Sequence, residues 1–403
     1  MDSAILNDPF LLAKKHLLEL TRGLPSGTVP ISVIQDLSSM HPDWPVWPDL
    51  ALSDLIGPPN VRLKEVDLRW LHRFRATIAL LGWLSVQLGG PKGGPSALSL
   101  VVERAPILGH RGWGAVSAGG SCRILTTADG QIAANLPRVE DQSSVAAWLD
   151  APIEGADWAS IERAVQQVTS SELLSRAKLL GMPISVVGET KVPLGFEYNI
   201  GKEIRLKQKP RVVDLSSMWA GPLCSWYLMR CGAEVTKIES TLRPEKPRNR
   251  PDIFYQRLNQ GKEIIPLDFS SSIDHELLRN IIRESDIIIE GSRPRALEHL
   301  GIDAKEEVER GAIWCSITGY GRRWNPHRVG FGDDAAAGAN LLAEINGSLW
   351  FMGDAIADPI TGATAATLVL GHWLGCSSAL LDLGLSPTAA LYSQGLVSRA
   401  SSF

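Results

Sequence analysis

Short apolar runs separated by stretches of helical spacing dominate residues 210–325. "RVVDLSS" (211–217), "EVTKIES" (234–240), "DIIIEGS" (286–292) and "AIWCSITGYG" (312–321) read as buried strands, and "GKEIIPLDFS" (261–270) opens another. Between them "LCSWYLMRCGA", "IDHELLRNIIRES" (273–285) and "RALEHLGI" repeat apolar residues at helical intervals. Apolar strands alternating with amphipathic helices predict an α/β fold, an open parallel sheet with helices on both faces. Ligands of such sheets sit beyond the carboxyl ends of the strands. Here those ends are "LSSMWAGP", "KIES", "EGSRPR" and "TGYG", which carry glycine, serine or charge.

The pattern before residue 200 differs. "DPFLLAKKHLLELTRGL" (8–24) is an amphipathic helix with Asp8 or Asn7 as its cap and Pro9 in its first turn. "MHPDWPVWPDLALSDLIGPPN" (40–60) is a proline- and tryptophan-rich connection, and "GGPKGGPSA" (89–97) a turn or linker. "CRILTTADGQIAANL" (122–136) reads as strand–turn–strand about Asp129-Gly130, and "DWASIERAVQQVTSSELLSRAKLLG" (157–181) as helices. The expected units are an extension at 1–64, a linker helix with a small α+β domain at 65–190, a linker at 191–210, a large α/β domain at 211–392 and a tail at 393–403. "ATIALLGWL" (76–84) is echoed by "ATLVLGHWL" (366–374), a weak sign of duplication when taken alone.

Bulk composition narrows the function classes. The 403 residues suffice for two or three domains, and 44% hydrophobic with 21% charged residues is ordinary for a soluble globular protein. A net charge of −4 gives no support to nucleic-acid binding, and no apolar run is long enough to span a bilayer. The first residues lack a secretory pattern, and five scattered cysteines, Cys122, Cys224, Cys231, Cys315 and Cys376, read as reduced core residues of a cytoplasmic protein. Neither His327, His372 nor the other histidines show metal-ligand spacing, and no Walker loop or GxGxxG is present.

Six ordered blocks carry a resemblance. "VVDLSSMWAGPLCSWYLMRCGAEVTKIES", "LNQGKEIIPLDF", "IIIEGSRPRALEHLGID", "IWCSITGYG", "RVGFGDDAAAGANL" and "IADPITGATAATLVLG" follow one another over residues 211–392 as they do in the family III CoA-transferases. That group (CaiB/BaiF) includes formyl-CoA:oxalate CoA-transferase and α-methylacyl-CoA racemase. The first half resembles the family's later part: "RATIALLGWLSVQLGG" the helix leaving the large domain, "SAGGSCRILTTADGQIAANL" the glycine loop and hairpin entering the small one. The resemblance therefore implies a Rossmann-like large domain and a small α+β domain in permuted order, or a trimmed double copy. It accounts for the echo at 76 and 366 as one family helix met twice.

The same resemblance implies a reaction and a site. CoA would move from an acyl-CoA to a carboxylic acid through an aspartyl acyl anhydride and an aspartyl-CoA thioester. Coenzyme A enters as substrate, no prosthetic group is expected, and a homodimer is. Aligning Gly332-Asp333-Asp334 with the family's Gly-Tyr-Asp motif nominates Asp334 as the nucleophile, with Asp333 as the alternative. The plainer reading makes either an N-cap worth about 1 kcal/mol. Asp358 matches an acidic position used by racemase relatives, or caps its own helix. For CoA itself the resemblance and the sheet-end positions suggest Gly221, Pro222, Lys237, Arg243, Leu258, Asn259, Gly261, Lys262, Arg293 and Tyr320, with Gly119 and Gly120 as a covering loop. Against that, Lys237 and Glu239 can be a strand-end ion pair, and scattered arginines can be solvated. Racemase chemistry and a non-catalytic CoA-binding role are the competing readings; Asp333 in place of the racemase histidine speaks against the first. Ser217 and Trp219, at positions where transferases often carry polar pocket residues, keep the second open.

Overall fold

The computed structural model describes residues 8–39, 52, 55–57, 66–191, 197–204, 209–245, 252–292, 294–323 and 325–396. In chain order the strands are β1 (Cys122–Thr126), β2 (Gln131–Asn135), β3 (Ile184–Val186), β4 (Glu197–Glu203), β5 (Arg211–Leu215), β6 (Glu234–Ser240), β7 (Glu263–Leu267), β8 (Ile287–Glu290), β9 (Ile313–Thr318), β10 (Leu342–Ile345), β11 (Ser348–Phe351) and β12 (Ser377–Gly384). Seven of them form one sheet in the order β4-β12-β9-β8-β5-β6-β7. Every pair in it is parallel except β12 with β4. The α/β expectation therefore holds, with an antiparallel edge added.

Burial explains which strands the sequence announces. All residues of β8 and β9 are buried because helices cover both faces, so their sequences are apolar almost without interruption. Four strands were not expected: β4 lies in the stretch taken for a linker, β12 follows a helix directly, and β10 with β11 forms an antiparallel hairpin. The other hairpin matches the reading of its turn. β1 pairs antiparallel with β2 from Cys122–Asn135 to Thr126–Gln131, Thr127 N–H donates to the Gly130 carbonyl at 2.9 Å, and β3 adds to β2.

Helix Pro9–Thr21 starts where Asp8 accepts the Phe10 N–H at 2.9 Å. It packs on helix Arg69–Gln87, which in turn packs on helix Ala357–Leu374. The two segments that echo each other in sequence therefore meet in one core with Leu17, Phe74 and Leu368. Helix Ala220–Arg230 lies against the same long helix, where a Cβ on Gly362 would stand 2.5 Å from the Ala220 carbonyl, so only glycine permits that approach. Four cysteines are buried as expected; Cys376 departs from that expectation, being exposed in a turn at φ +52°. Among the described residues no helix is long and apolar enough to cross a membrane.

Candidate active site

At the mouth of the sheet, a cavity of about 420 Å³ opens beyond β5, β6 and β8. Ser216, Ser217, Ser240, Arg243 and Ser292 line its polar side, and Leu297 lies on its apolar side. Arg243 is thus the proposed CoA contact that the structure places at this cavity. Arg293 lies outside the described residues.

The lysines go elsewhere. Lys262 Nζ is enclosed by Asp214 Oδ2 (3.1 Å), the Pro222 carbonyl (3.0 Å), Ser225 Oγ (2.8 Å) and Asn259 Oδ1 (2.9 Å). Lys237, fully buried, donates to the Ser216 carbonyl at 2.7 Å and pairs with Glu245 at 2.9 Å. The strand-end partner of Lys237 is therefore Glu245; Glu239 accepts the Tyr255 hydroxyl instead. Burial alone would neutralise Asp214, but Lys262 and Lys237 outweigh it and hold the carboxyl well below its usual range. Asn259 and Pro222 belong to this internal network, Leu258 is core, and Gly261 turns the chain at φ +96°. Gly221 packs on Ser216, where a Cβ would stand 2.0 Å from Oγ. These residues shape the strand ends from below.

A second polar centre forms where the first half of the chain docks on the second. Helix Gly332–Gly338 presents Asp333 and Asp334 in its first turn, both buried. Asp334 Oδ1 accepts from Asn135 Nδ2 and from the Phe331 N–H, each at 2.9 Å, while its carbonyl accepts Ser185 Oγ at 2.7 Å. Ser121, beside the glycine loop, orients Asn135 by donating to its Oδ1 at 2.9 Å. Burial lifts the Asp334 carboxyl to about 8 against those two hydrogen bonds. Its bonding is that of a helix cap buttressed from β2 and β3. Tyr320 also sits on this side, its ring under the Arg328 guanidinium at 3.5 Å, and so stands apart from the sheet-mouth cavity.

Asp333 faces the other way, accepting the Ala355 N–H at 2.9 Å. Around it lie Asp354 and Asp358, four residues apart at the start of helix Ala357–Leu374. Asp354 is fully buried and gripped by Arg104 through Nε (2.8 Å) and Nη2 (2.5 Å), with His110 Nδ1 at 3.3 Å. Burial opposes its charge, yet Arg104 and His110 bring it down to about 2. Arg104 also lies 4.8 Å over the ring of buried Trp219. Asp358 retains a partial opening to solvent, unlike its three neighbours. Desolvation, opposed by Arg104 and reinforced by Asp333 and Asp354, lifts its carboxyl to about 7, with the Ala220 backbone N–H also favouring the charged form. Burial and then Asp354 lift Asp333 to about 6. Gly332 makes the packing possible, since a Cβ there would stand 2.1 Å from Asp358 Oδ2. The expected loop is at hand: a Cβ on Gly119 would stand 3.4 Å from the His110 ring, and Gly120 turns at φ +78°.

Ser216 to Ala220 joins the two centres, lining the cavity at one end and standing near Asp358 at the other. A sheet-mouth cavity with polar lining and a partly exposed carboxylate at the far end of one turn are elements that acyl or CoA transfer can use. Parts of the chain are similar to known proteins. Residues 208–375 match the family model described as CoA-transferase family III. That segment resembles this family. An acyl-CoA transferase of Fusarium pseudograminearum is 27% identical over 217 residues, 46% of this chain and 47% of that protein. The formyl-CoA:oxalate CoA-transferase of Escherichia coli is 31% identical over 119 residues, 27% of this chain and 29% of the relative. The chain thus spans about half the length, or less, of the curated relatives it matches. A crystal structure of a CAIB/BAIF family protein from Brucella suis aligns with a TM-score of 0.42 at 23% identity, covering 48% of this chain and 56% of that one.

Within the matched segment the sequence pointed to Asp333, Asp334 and Asp358; the structure sets Asp333 beside Asp358, while Asp334 turns to Asn135. Sequence reasoning missed Arg104, His110, Asn135 and Asp354. The i, i+4 spacing of Asp354 and Asp358 was a usable signal; Arg104 had none, because 250 positions separate it from Asp354.

Proposed function

We propose that the protein moves coenzyme A between an acyl-CoA and a carboxylic acid, with Asp358 as the nucleophile. The observation that carries this choice is access. Asp358 is the aspartate of the four that stays open to solvent, whereas Asp333, Asp334 and Asp354 are buried. Asp334, first choice on sequence, has one oxygen committed to two hydrogen bonds and the other enclosed. The fit of a CoA nucleotide to the cavity rests on Arg243 and the serines at the strand ends, with the pantetheine running along Ser216–Ala220 toward Asp358.

In this reading an ionised Asp358 oxygen attacks the thioester carbonyl, the C–S bond breaks, and a mixed anhydride forms with release of CoA thiolate. The thiolate attacks the aspartyl carbonyl, expelling the first carboxylate and leaving an aspartyl-CoA thioester. An incoming carboxylate attacks that thioester, regenerating thiolate and forming a second anhydride. Thiolate attack on its acyl carbonyl gives the new acyl-CoA and frees Asp358. The His110–Gly119–Gly120 loop would keep water from the anhydrides. Arg104 and the Ala220 N–H favour the charged carboxylate at the start of each cycle.

The test is to incubate the protein with a panel of acyl-CoAs, quench with hydroxylamine and map the modified peptide. A hydroxamate at Asp358 supports the proposal; one at Asp334 moves the nucleophile, and none with any acyl-CoA refutes covalent transfer. A second reading, exchange of an α-proton, draws on Asp333 beside Asp358, two carboxyls lifted to about 6 and about 7. Washout of α-deuterium without a hydroxamate would favour it. A homodimer is part of the proposal, and a monomeric mass in solution would remove it.

A further inference from the structure

The cavity at the sheet mouth has a charge balance that its proposed ligand would not choose. Besides Arg243 it is lined by two carboxylates, Glu239 and Glu245. Glu239 is engaged by the Tyr255 hydroxyl at 2.5 Å. Glu245 is bound differently: one oxygen accepts the Met218 N–H at 2.5 Å, and the other lies 2.9 Å from Lys237 Nζ. Both donors sit behind Glu245, which is the residue that lines the cavity. Lys237 has no exposed side-chain surface, and the Ser216 carbonyl fixes its ammonium at 2.7 Å. Met218 holds φ +69°, a conformation that residues with side chains rarely adopt, in the turn between β5 and helix Ala220–Arg230. A buried ammonium and a backbone N–H converging on one carboxylate are the donors used to hold an oxyanion. Glu245 itself is carried on the surface segment after β6, five positions past Ser240, with 18% of its side chain exposed.

We infer that Lys237 Nζ and the Met218 N–H form an oxyanion subsite of the cavity, in which Glu245 is a displaceable stand-in for a ligand oxyanion. The inference rests on the cavity's reading as the coenzyme A seat. It commits to the diphosphate as the natural occupant, because the cavity lies at strand ends with Arg243 on its rim. The acceptor's carboxylate shares the chemistry and is the other source. On this view the lysine predicted from sequence to meet phosphate does so only after Glu245 swings away. Binding of the donor then exchanges one anion for another, and the buried ammonium never stands unpaired.

The experiment is calorimetric titration of the wild-type chain and Glu245→Gln with coenzyme A, inorganic pyrophosphate and acetate at constant ionic strength. Removing the competing carboxylate is expected to tighten coenzyme A and pyrophosphate about tenfold or more, with acetate unchanged. Tightening of acetate alone reassigns the same subsite to the acceptor carboxylate. If affinity for all three is unchanged or falls, Glu245 is only the counter-ion of Lys237 and the inference is overturned. Should neither chain bind coenzyme A while Glu245→Gln gains pyrophosphate, the coenzyme A reading fails and the subsite stands. If Glu245→Gln does not fold, Glu245→Asp, which keeps the charge on a shorter arm, is expected to tighten pyrophosphate by a smaller factor; no tightening overturns the inference.

Discussion

Beneath the sheet mouth, Asp214 meets two lysines, two serine hydroxyls and a backbone N–H, and each buried charge there finds an opposite one. At the second centre Asp333, Asp354 and Asp358 share Arg104, His110 serves Asp354 alone, and only Asp354 is held firmly in its charged form. Both centres are rich in carboxylates and both are mostly buried, yet their proton affinities diverge. The first has Asp214 pinned below its normal range, so it acts as a fixed ionic knot. In the second, carboxylates outnumber cations, desolvation wins, and two groups titrate near neutrality. Compensated charge holds the loops; uncompensated charge is left available for chemistry.

The comparison breaks first, if it breaks, at Asp358. Asp358→Asn is expected to lower transfer by about 10³-fold or more while leaving the fold intact. A variant with near-normal turnover, followed by CoA-release kinetics, would return the second centre to a structural role. Next in size is Lys262→Met, which leaves Asp214 short of its nearest cation. It should cost about 3–5 kcal/mol in denaturant unfolding, as breaking one side of a buried pair does. A loss below 1 kcal/mol would mean that the knot is not ionic in the sense argued.

The pH dependence sharpens the contrast. Asp358 attacks only when ionised, so single-turnover acylation should climb with pH and level off above about 7. Stability should run the opposite way. Asp333, Asp334 and Asp358 hold their protons longer when folded than when unfolded, so stability is greatest below the unfolded carboxylate range. It falls as pH rises through about 6 to about 8. Asp214 and Asp354 act in reverse, losing their contribution only in strong acid. Thermal unfolding at stepped pH reads the sum. The smallest effect is expected for Asp334→Asn: turnover within about tenfold of normal, and a Tm that gains on the wild type as pH passes 8, since the amide has no proton to surrender.

What the sequence disclosed follows from how each segment is buried. "IIIE" and "IWCSIT" are legible because both faces of β8 and β9 are covered. "EYNIGKE" is not, because β4 is an edge strand paired on one side and needs no apolar run. β12 hides its centrality behind an opening Ser377-Ser378 and an interior Asp382, which accepts the Arg322 and Arg323 N–H groups across the strand ends. For the site, the aspartates could be named but not ranked, since access depends on neighbours from the other half of the chain. The lysines were expected at or past strand ends, but Lys237 lies within β6 and Lys262 just before β7, and nothing in "KIES" or "GKE" tells that the ammonium turns inward to a carbonyl and an aspartate.

The contact between helix Arg69–Gln87 and the segment around Tyr392 has a bearing on how the molecule is made. Arg73 donates to the Tyr392 carbonyl across 319 positions, and Thr77 bonds the Tyr392 hydroxyl at 2.7 Å. On a ribosome that helix emerges with its oily stripe long before its partner, so it must wait, sheltered by helix Pro9–Thr21 or by a chaperone. Such distant closure predicts slow maturation, with the aspartate centre the last part of the protein to become competent.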